Sequence, residues 1–264
     1  MREANPKLVP GENSGLDLAA AELSPAQRES LRSFTPARIA LKRAGVSVGT
    51  APLLEFELAH ALARDAVRAA MDARMLLDEL RRQGLEALAL KSRAPDRETY
   101  LKRPDFGRML SKESAAQLTP GEYDLVFVIA DGLSAVAVER HALRLLQATL
   151  PLITGWRLAP ICVVEQGRVA IGDAIGECLT AQLAVVLIGE RPGLSSPDSL
   201  GAYITWRPGR GRKDAERNCI SNIRQEGLSY EAAARRLLFY LTEARRRQLT
   251  GVALKDPEIE TGQI

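Results

Sequence analysis

An α/β fold is predicted for this chain: a Rossmann-like parallel or mixed sheet flanked by helices, with a helical N-terminal extension. Three features carry that expectation. From Asp124 onward, apolar runs of strand length alternate with helix-patterned segments, the rhythm of strand–helix–strand units. Several of those runs end directly in glycine-bearing polar segments, as strands do where they hand over to helices. The stretch before residue 120 reads mainly as helix, with one short strand-like run.

In order along the chain, residues 1–23 hold Pro6, Pro10, Gly11 and Gly15 among polar residues, and we expect an arm that is mobile or docked on a partner. Ser24-Pro25 is a helix start, with serine as N-cap and proline where its missing N–H is harmless. A second short helix is expected from Pro36 to Ala44. A long helical stretch follows from Thr50 to about Gly84, with Leu54, Leu58 and Leu62 at four-residue steps on a side that must pack on something. Residues 86–91 suit a short strand, and Asp96 and Asp105 suit caps of further short helices. Thr119-Pro120-Gly121 marks the organisational boundary, giving a mainly helical region over 24–119 and an α/β domain over 120–264. Within the latter, strands are expected at 125–130, 161–164, 184–188 and 202–206, and helices at 134–150, 173–182 and, as one or two pieces, 214–247.

Composition narrows the function classes. With 46% hydrophobic, 26% charged and only 5% aromatic residues, a core of Ala, Leu, Val and Ile is expected. A net charge of +3 does not point to nucleic acid. Three cysteines without a CxxC pair fit reduced thiols in the cytoplasm. The first residues lack the apolar core of a signal peptide, and no run is long enough to span a membrane.

Chemistry is expected where strands end, because amides of the following helix and converging side chains meet there. Three segments qualify. Asp131-Gly-Leu-Ser-Ala135 suits either a capped turn or a ligand ledge. Gly189-Glu-Arg-Pro-Gly-Leu-Ser-Ser-Pro-Asp-Ser199 is too rich in rigid and polar residues for a plain connector, though it too can be structural. Asp214 to Arg224 is expected to begin a helix, with Asn218 and Cys219 turned to a ligand or merely capping. Familiar catalytic patterns are poor. Gly209-Arg-Gly211 has Asp214 where a dinucleotide fingerprint needs its third glycine, and no phosphate loop or GxSxG elbow is present. His60 and His141 lack neighbouring ligands in sequence, so no metal site and no catalytic residue is nominated. Arg245-Arg246-Arg247 suits a solvated helix C-terminus.

Whole stretches carry a resemblance: Thr35 to Gly45, Phe56 to Asp65, Tyr100 to Asp105, Val128-Ile-Ala-Asp-Gly-Leu-Ser134, Gln166-Gly-Arg-Val-Ala170, Ile188 to Gly201 and Arg217-Asn-Cys-Ile-Ser-Asn-Ile223. Together they resemble the small subunit of ethanolamine ammonia-lyase, in consistent order from about Phe34 to Asp256. The resemblance implies one part of a hetero-oligomeric, adenosylcobalamin-dependent lyase converting ethanolamine to acetaldehyde and ammonia, inactive alone. Its substrate would sit in the TIM barrel of a large subunit, and this chain would cover the corrin at the interface. Carried onto matching motifs, the cofactor contacts fall at Val169, Glu190 and Cys219. Neither histidine sits in the DxHxxG pattern that replaces the cofactor's own base, so base-on binding is implied. The N-terminal arm would dock on the large subunit or address the enzyme to a bacterial microcompartment. Two other readings stand beside this one: a stand-alone nucleotide-binding α/β enzyme, and a non-catalytic adaptor of a microcompartment.

Overall fold

A computed structural model describes residues 24–256, apart from Pro36, Ala40 and Lys42, and the expected arm over residues 1–23 lies outside the described residues. The chain divides into two compact units between Leu54 and Glu55.

In the first unit, α1 (Pro25–Ser33) starts as expected. Ser24 Oγ accepts from Gln27 N at 3.3 Å and Ser24 N donates to Gln27 Oε1 at 2.8 Å, a capping box with proline at the first helical position. The helix expected up to Ala44 is not formed among the described residues. Instead β1 (Arg43–Ala44) and β2 (Ser47–Val48) pair antiparallel about a Gly45-Val46 tip, and a helix ending at Ala44 would have forbidden that pairing.

The expected long helix is two helices, α2 (Thr50–Arg68) and α3 (Ala73–Arg82). The break has a local cause. Asp72 caps α3 by accepting from Met75 N at 2.9 Å, and its own N–H donates to Glu139 Oε1 at 2.7 Å, so the backbone there is committed outside a helix. Leu54, Leu58 and Leu62 are exposed, while Ala63 and Ala66 form the buried side of α2.

Seven further elements build the second unit around one sheet. They are β3 (Ala87–Lys91), α4 (Arg97–Lys102), α5 (Lys112–Ala115), β4 (Leu125–Ala130), α6 (Ala135–Thr149), β5 (Ile161–Glu165) and α7 (Ile171–Leu179). Four more complete it: β6 (Leu183–Gly189), β7 (Leu200–Trp206), β8 (Arg217–Ile223) and α8 (Tyr230–Arg247). The six strands lie in the order β3-β5-β4-β6-β7-β8. The first four are parallel, and β7 and β8 add antiparallel, so the fold is α/β with a mixed sheet. Every residue of β4 is buried, as a strand covered on both faces must be. Leu125, Phe127 and Ile129 join a core with Leu80 of α3, Leu145 of α6 and Leu237 of α8; Val126, Val128 and Ala130 face Ile171, Ile175 and Leu179 of α7. Among the described residues no helix is long and apolar enough to cross a membrane.

The expectation of helix from residue 214 fails. A single 3-10 turn, Asp214–Glu216, leads into β8, and helix returns only at Tyr230. The cause is a bulge. Ala202 pairs with Ile220 but Leu200 pairs with Ile223, and Asn222 has a φ of 59°, so the two buried isoleucines stand three residues apart, a spacing that imitates a helix. Asp105, expected to cap, makes no capping bond; its carboxylate takes Arg103 at 2.7 Å instead.

Candidate functional site

Strands β5 and β6 leave opposite sides of β4, so the chain changes direction in the sheet at the carboxyl end of β4. Crevices outside such a switch point are the usual ligand sites of open α/β sheets. Close backbone approach makes the crevice. Gly132 has a φ of 58°, and a Cβ there would run into the Gly189 carbonyl oxygen; a Cβ on Gly189 would run into the Ser134 carbonyl. The β4 and β6 turns thus press together into one ledge, whose open cleft holds about 400 Å³.

Beneath the ledge, Asp131 is a buried hub. Its carboxylate accepts from Gln166 N and Gly167 N, both at 2.9 Å, and faces Arg97 Nη1 at 3.4 Å. Burial pushes its pKa up to about 6, against the opposing pull of Arg97 and of those backbone amides. Arg97 also donates to Gly132 O at 2.9 Å and Val67 O at 2.8 Å, tying α4 and α2 to the ledge. The ring of Tyr100, fully buried, has the Arg97 guanidinium 4.7 Å from its centroid and that of Arg168 4.2 Å away. Tyr100 also donates its hydroxyl to Gly167 O at 3.1 Å. The β5 turn, which carries Val169, is therefore held by a carboxylate from β4 and an aromatic residue from α4.

Val169 and Glu190 both line the cleft, together with Leu133, Ile188, Tyr203 and Ser221. Val169 is half-buried and packs on the α7-side core. Glu190, also half-buried, is engaged by three donors. Ser199 Oγ donates to Oε2, Ser221 Oγ to Oε1 at 2.5 Å, and Asn222 N to Oε2 at 3.2 Å. One carboxylate thereby joins the end of β6 to the start of β7 and the bulge of β8. Cys219 is exposed on β8 and is the cross-strand partner of Tyr203, so it stands beside the cleft rather than in its lining. Desolvation of its sulfur raises the thiol's pKa, with the neighbouring Tyr203 opposing the shift and the Glu190 carboxylate adding to it. A thiol raised above its ordinary value is protonated at neutral pH.

The loop from Gly189 to Ser199 is clasped from outside as well. Ser134 Oγ, which caps α6, donates to Pro197 O at 2.9 Å. Asp198 takes Arg140 at 2.8 Å and lies 3.5 Å from His141 Nε2, while His141 Nδ1 meets Tyr230 Oη at 2.9 Å. His141 is buried and His60 exposed, and neither lines the cleft. Among the described residues no group of three or more His, Cys, Asp and Glu is placed to hold a metal. Spacing in the sequence did not single out Arg97, Tyr100 or Arg168. Their importance arises from the distance between α4 and the β5 turn, which is set by the sheet order.

The family model "Ethanolamine ammonia-lyase light chain (EutC)" matches residues 25–255. The ethanolamine ammonia-lyase small subunit of Azotobacter vinelandii is 57% identical over 244 residues, covering 89% of this chain and 90% of that protein. The subunits of the same name from Pseudomonas aeruginosa (strain LESB58) and Xanthomonas campestris pv. campestris are 56% and 57% identical, each over 86% of both chains. The matched span takes in every strand of the six-stranded sheet and the turns after β4, β5 and β6, and the chain belongs to the ethanolamine ammonia-lyase light-chain family.

Proposed function

We propose that this chain is the small subunit of an adenosylcobalamin-dependent ethanolamine ammonia-lyase, and that its ledge covers one side of the corrin while a TIM-barrel large subunit holds the other. The carrying observation is the open cleft at the strand-order switch, where Val169 and Glu190 stand together and Cys219 is one strand away through Tyr203. When bound, the cofactor supplies the radical chemistry that turns ethanolamine into acetaldehyde and ammonia.

The residues present fit a flat macrocycle fringed with amides. Gly132 and Gly189 leave the rim without side chains; Val169, Leu133 and Ile188 offer apolar contact; Glu190, Ser221 and Tyr203 offer acceptors and donors at its edge. A shallow cleft of about 400 Å³ covers only part of such a molecule, which supports a second polypeptide on the far side. Base-on binding is supported by the position of both histidines outside the cleft lining, His141 lying behind the Gly189–Ser199 loop. Asp131, Arg97 and Tyr100 act as positioning residues: they hold the Gln166–Val169 turn in place without lining up as acids or bases. In this reading residues 120–264 form the cofactor-facing part, completed by α4 from the region before it, and residues 1–23 dock on the large subunit or serve as a microcompartment address.

Co-expression with a matching large subunit tests the proposal. The complex should release acetaldehyde from ethanolamine when adenosylcobalamin is added, and neither chain should do so alone. Failure of the two chains to associate, or association with no effect on turnover, would overturn it; tight ATP or NAD binding by this chain would favour a nucleotide-dependent activity instead.

A further inference from the structure

We propose that a second cleft, between α5, α7 and the loop after β7, is a binding site for a small organic phosphate. It holds about 570 Å³, within the range of roughly 300–1,000 Å³ usual for small-molecule sites. It shares no lining residue with the ledge.

Its walls gather Arg93, Arg108, Lys112, Arg210 and Arg212 from segments far apart in the chain. Balancing anions are scarce. Asp173 is the carboxylate of the lining, and Arg217 consumes it: Nη1 and Nη2 donate to its two oxygens at 2.7 and 2.6 Å. Glu177 lies 3.6 Å from Arg210, and Glu216 lies 2.5 Å from Arg212. Arg93, Arg108 and Lys112 are exposed and make no salt bridge among the described residues, though Lys112 acts on the neighbouring Glu113 carboxylate. Arg93 is oriented rather than neutralised, by Met109 Sδ at 3.6 Å and by the Phe106 ring, whose centroid is 5.6 Å from its guanidinium carbon.

These cations are exposed or half-buried around one concave surface and bias its local field positive. Three cations outside any salt bridge match a dianion better than a single carboxylate, and guanidinium forks suit phosphate oxygens. The rest of the lining is apolar. Leu110 and Met109 on one wall and Ala170, Ala174 and Cys178 along α7 would contact a short organic body attached to the phosphate.

Phenyl phosphate and inorganic phosphate are the probes, titrated at low ionic strength into the full chain alone and into its complex with the large subunit, with binding followed by phosphorus NMR. Saturable binding of one phenyl phosphate per chain is expected in both, about tenfold tighter than inorganic phosphate because the ring covers the apolar wall. The double variant Arg108→Ala with Lys112→Ala should weaken binding at least about tenfold, with thermal unfolding and acetaldehyde release unchanged. Arg93→Gln provides an independent check, with binding weakened about threefold or more. Absence of saturable binding, or full affinity in both variants, overturns the proposal. Binding by the free chain but not by the complex, with assembly lost in the double variant, also overturns it and makes the cleft a docking face for an acidic surface of the partner. Phosphate binding by the full chain does not depend on turnover, so it stands or falls separately from the lyase function.

Discussion

Asp131 is held by two amides and an arginine, and its burial still raises its pKa from 3.8 to about 6. A native carboxyl that binds its proton more tightly than the unfolded chain stabilises the fold in acid. Its contribution is complete below pH 3.8 and is lost as pH rises through about 6, a change on the order of 3 kcal/mol. Denaturant titrations across that window should show this slope in the wild-type chain and a flatter one in Asp131→Asn; an unaltered slope in the variant would count against the burial argument. Glu190 is a different kind of carboxylate, because its oxygens are engaged by Ser199, Ser221 and Asn222. Glu190→Ala should lower cobalamin retention by the complex about tenfold, through a loosened rim as well as a lost acceptor. Cys219→Ser should stay within about threefold of wild type, since a protonated thiol beside the cleft contributes little. Both are measured by the absorbance of cobalamin that elutes with the complex, and unchanged retention in Glu190→Ala would remove it from the contact set.

Between elements, the Arg217–Asp173 pair does for β8 and α7 what Asp131 does for the ledge. Arg217 reaches across the sheet from β8 to Asp173 on α7, with a further bond to Thr205 Oγ1 on β7 at 3.0 Å, and both charged groups are buried. Arg217→Met strands a buried carboxylate and should destabilise the chain by about 3–5 kcal/mol in denaturant unfolding. A loss below about 1 kcal/mol would mean that the pair is dispensable. Elements were legible in the sequence where periodicity and caps agreed. The apolar runs at 125–130 and 161–164 are strands, and Ser134 and Asp96 cap helices as expected. Legibility failed where a local feature broke the period. The bulge at Asn222 gave β8 a helical spacing, and Asp72 divided one helix into two with no proline or glycine to mark the place. The ledge was half legible. Its turns follow buried strands and could be named, whereas the Asp131–Arg97–Tyr100 support needs the sheet order, which no local pattern encodes.

On the scale of the whole molecule, the proposed role of the ledge has it cover only one face of the cofactor. Hydroxocobalamin should therefore bind the complex at least about a hundredfold more tightly than this chain alone, a difference of about 2.7 kcal/mol, detectable as a rise in melting temperature only for the complex. An equal rise in the isolated chain would show that it holds the cofactor unaided. The strand order β3-β5-β4-β6-β7-β8 also bears on how the protein is made. During synthesis β3 leaves the ribosome before the strand it pairs with, and β4 emerges with neither neighbour present. A nascent chain must shelter two apolar strands until β5 and β6 arrive. Translation pauses or chaperone capture between residues 91 and 189 would therefore bear directly on the yield of folded subunit.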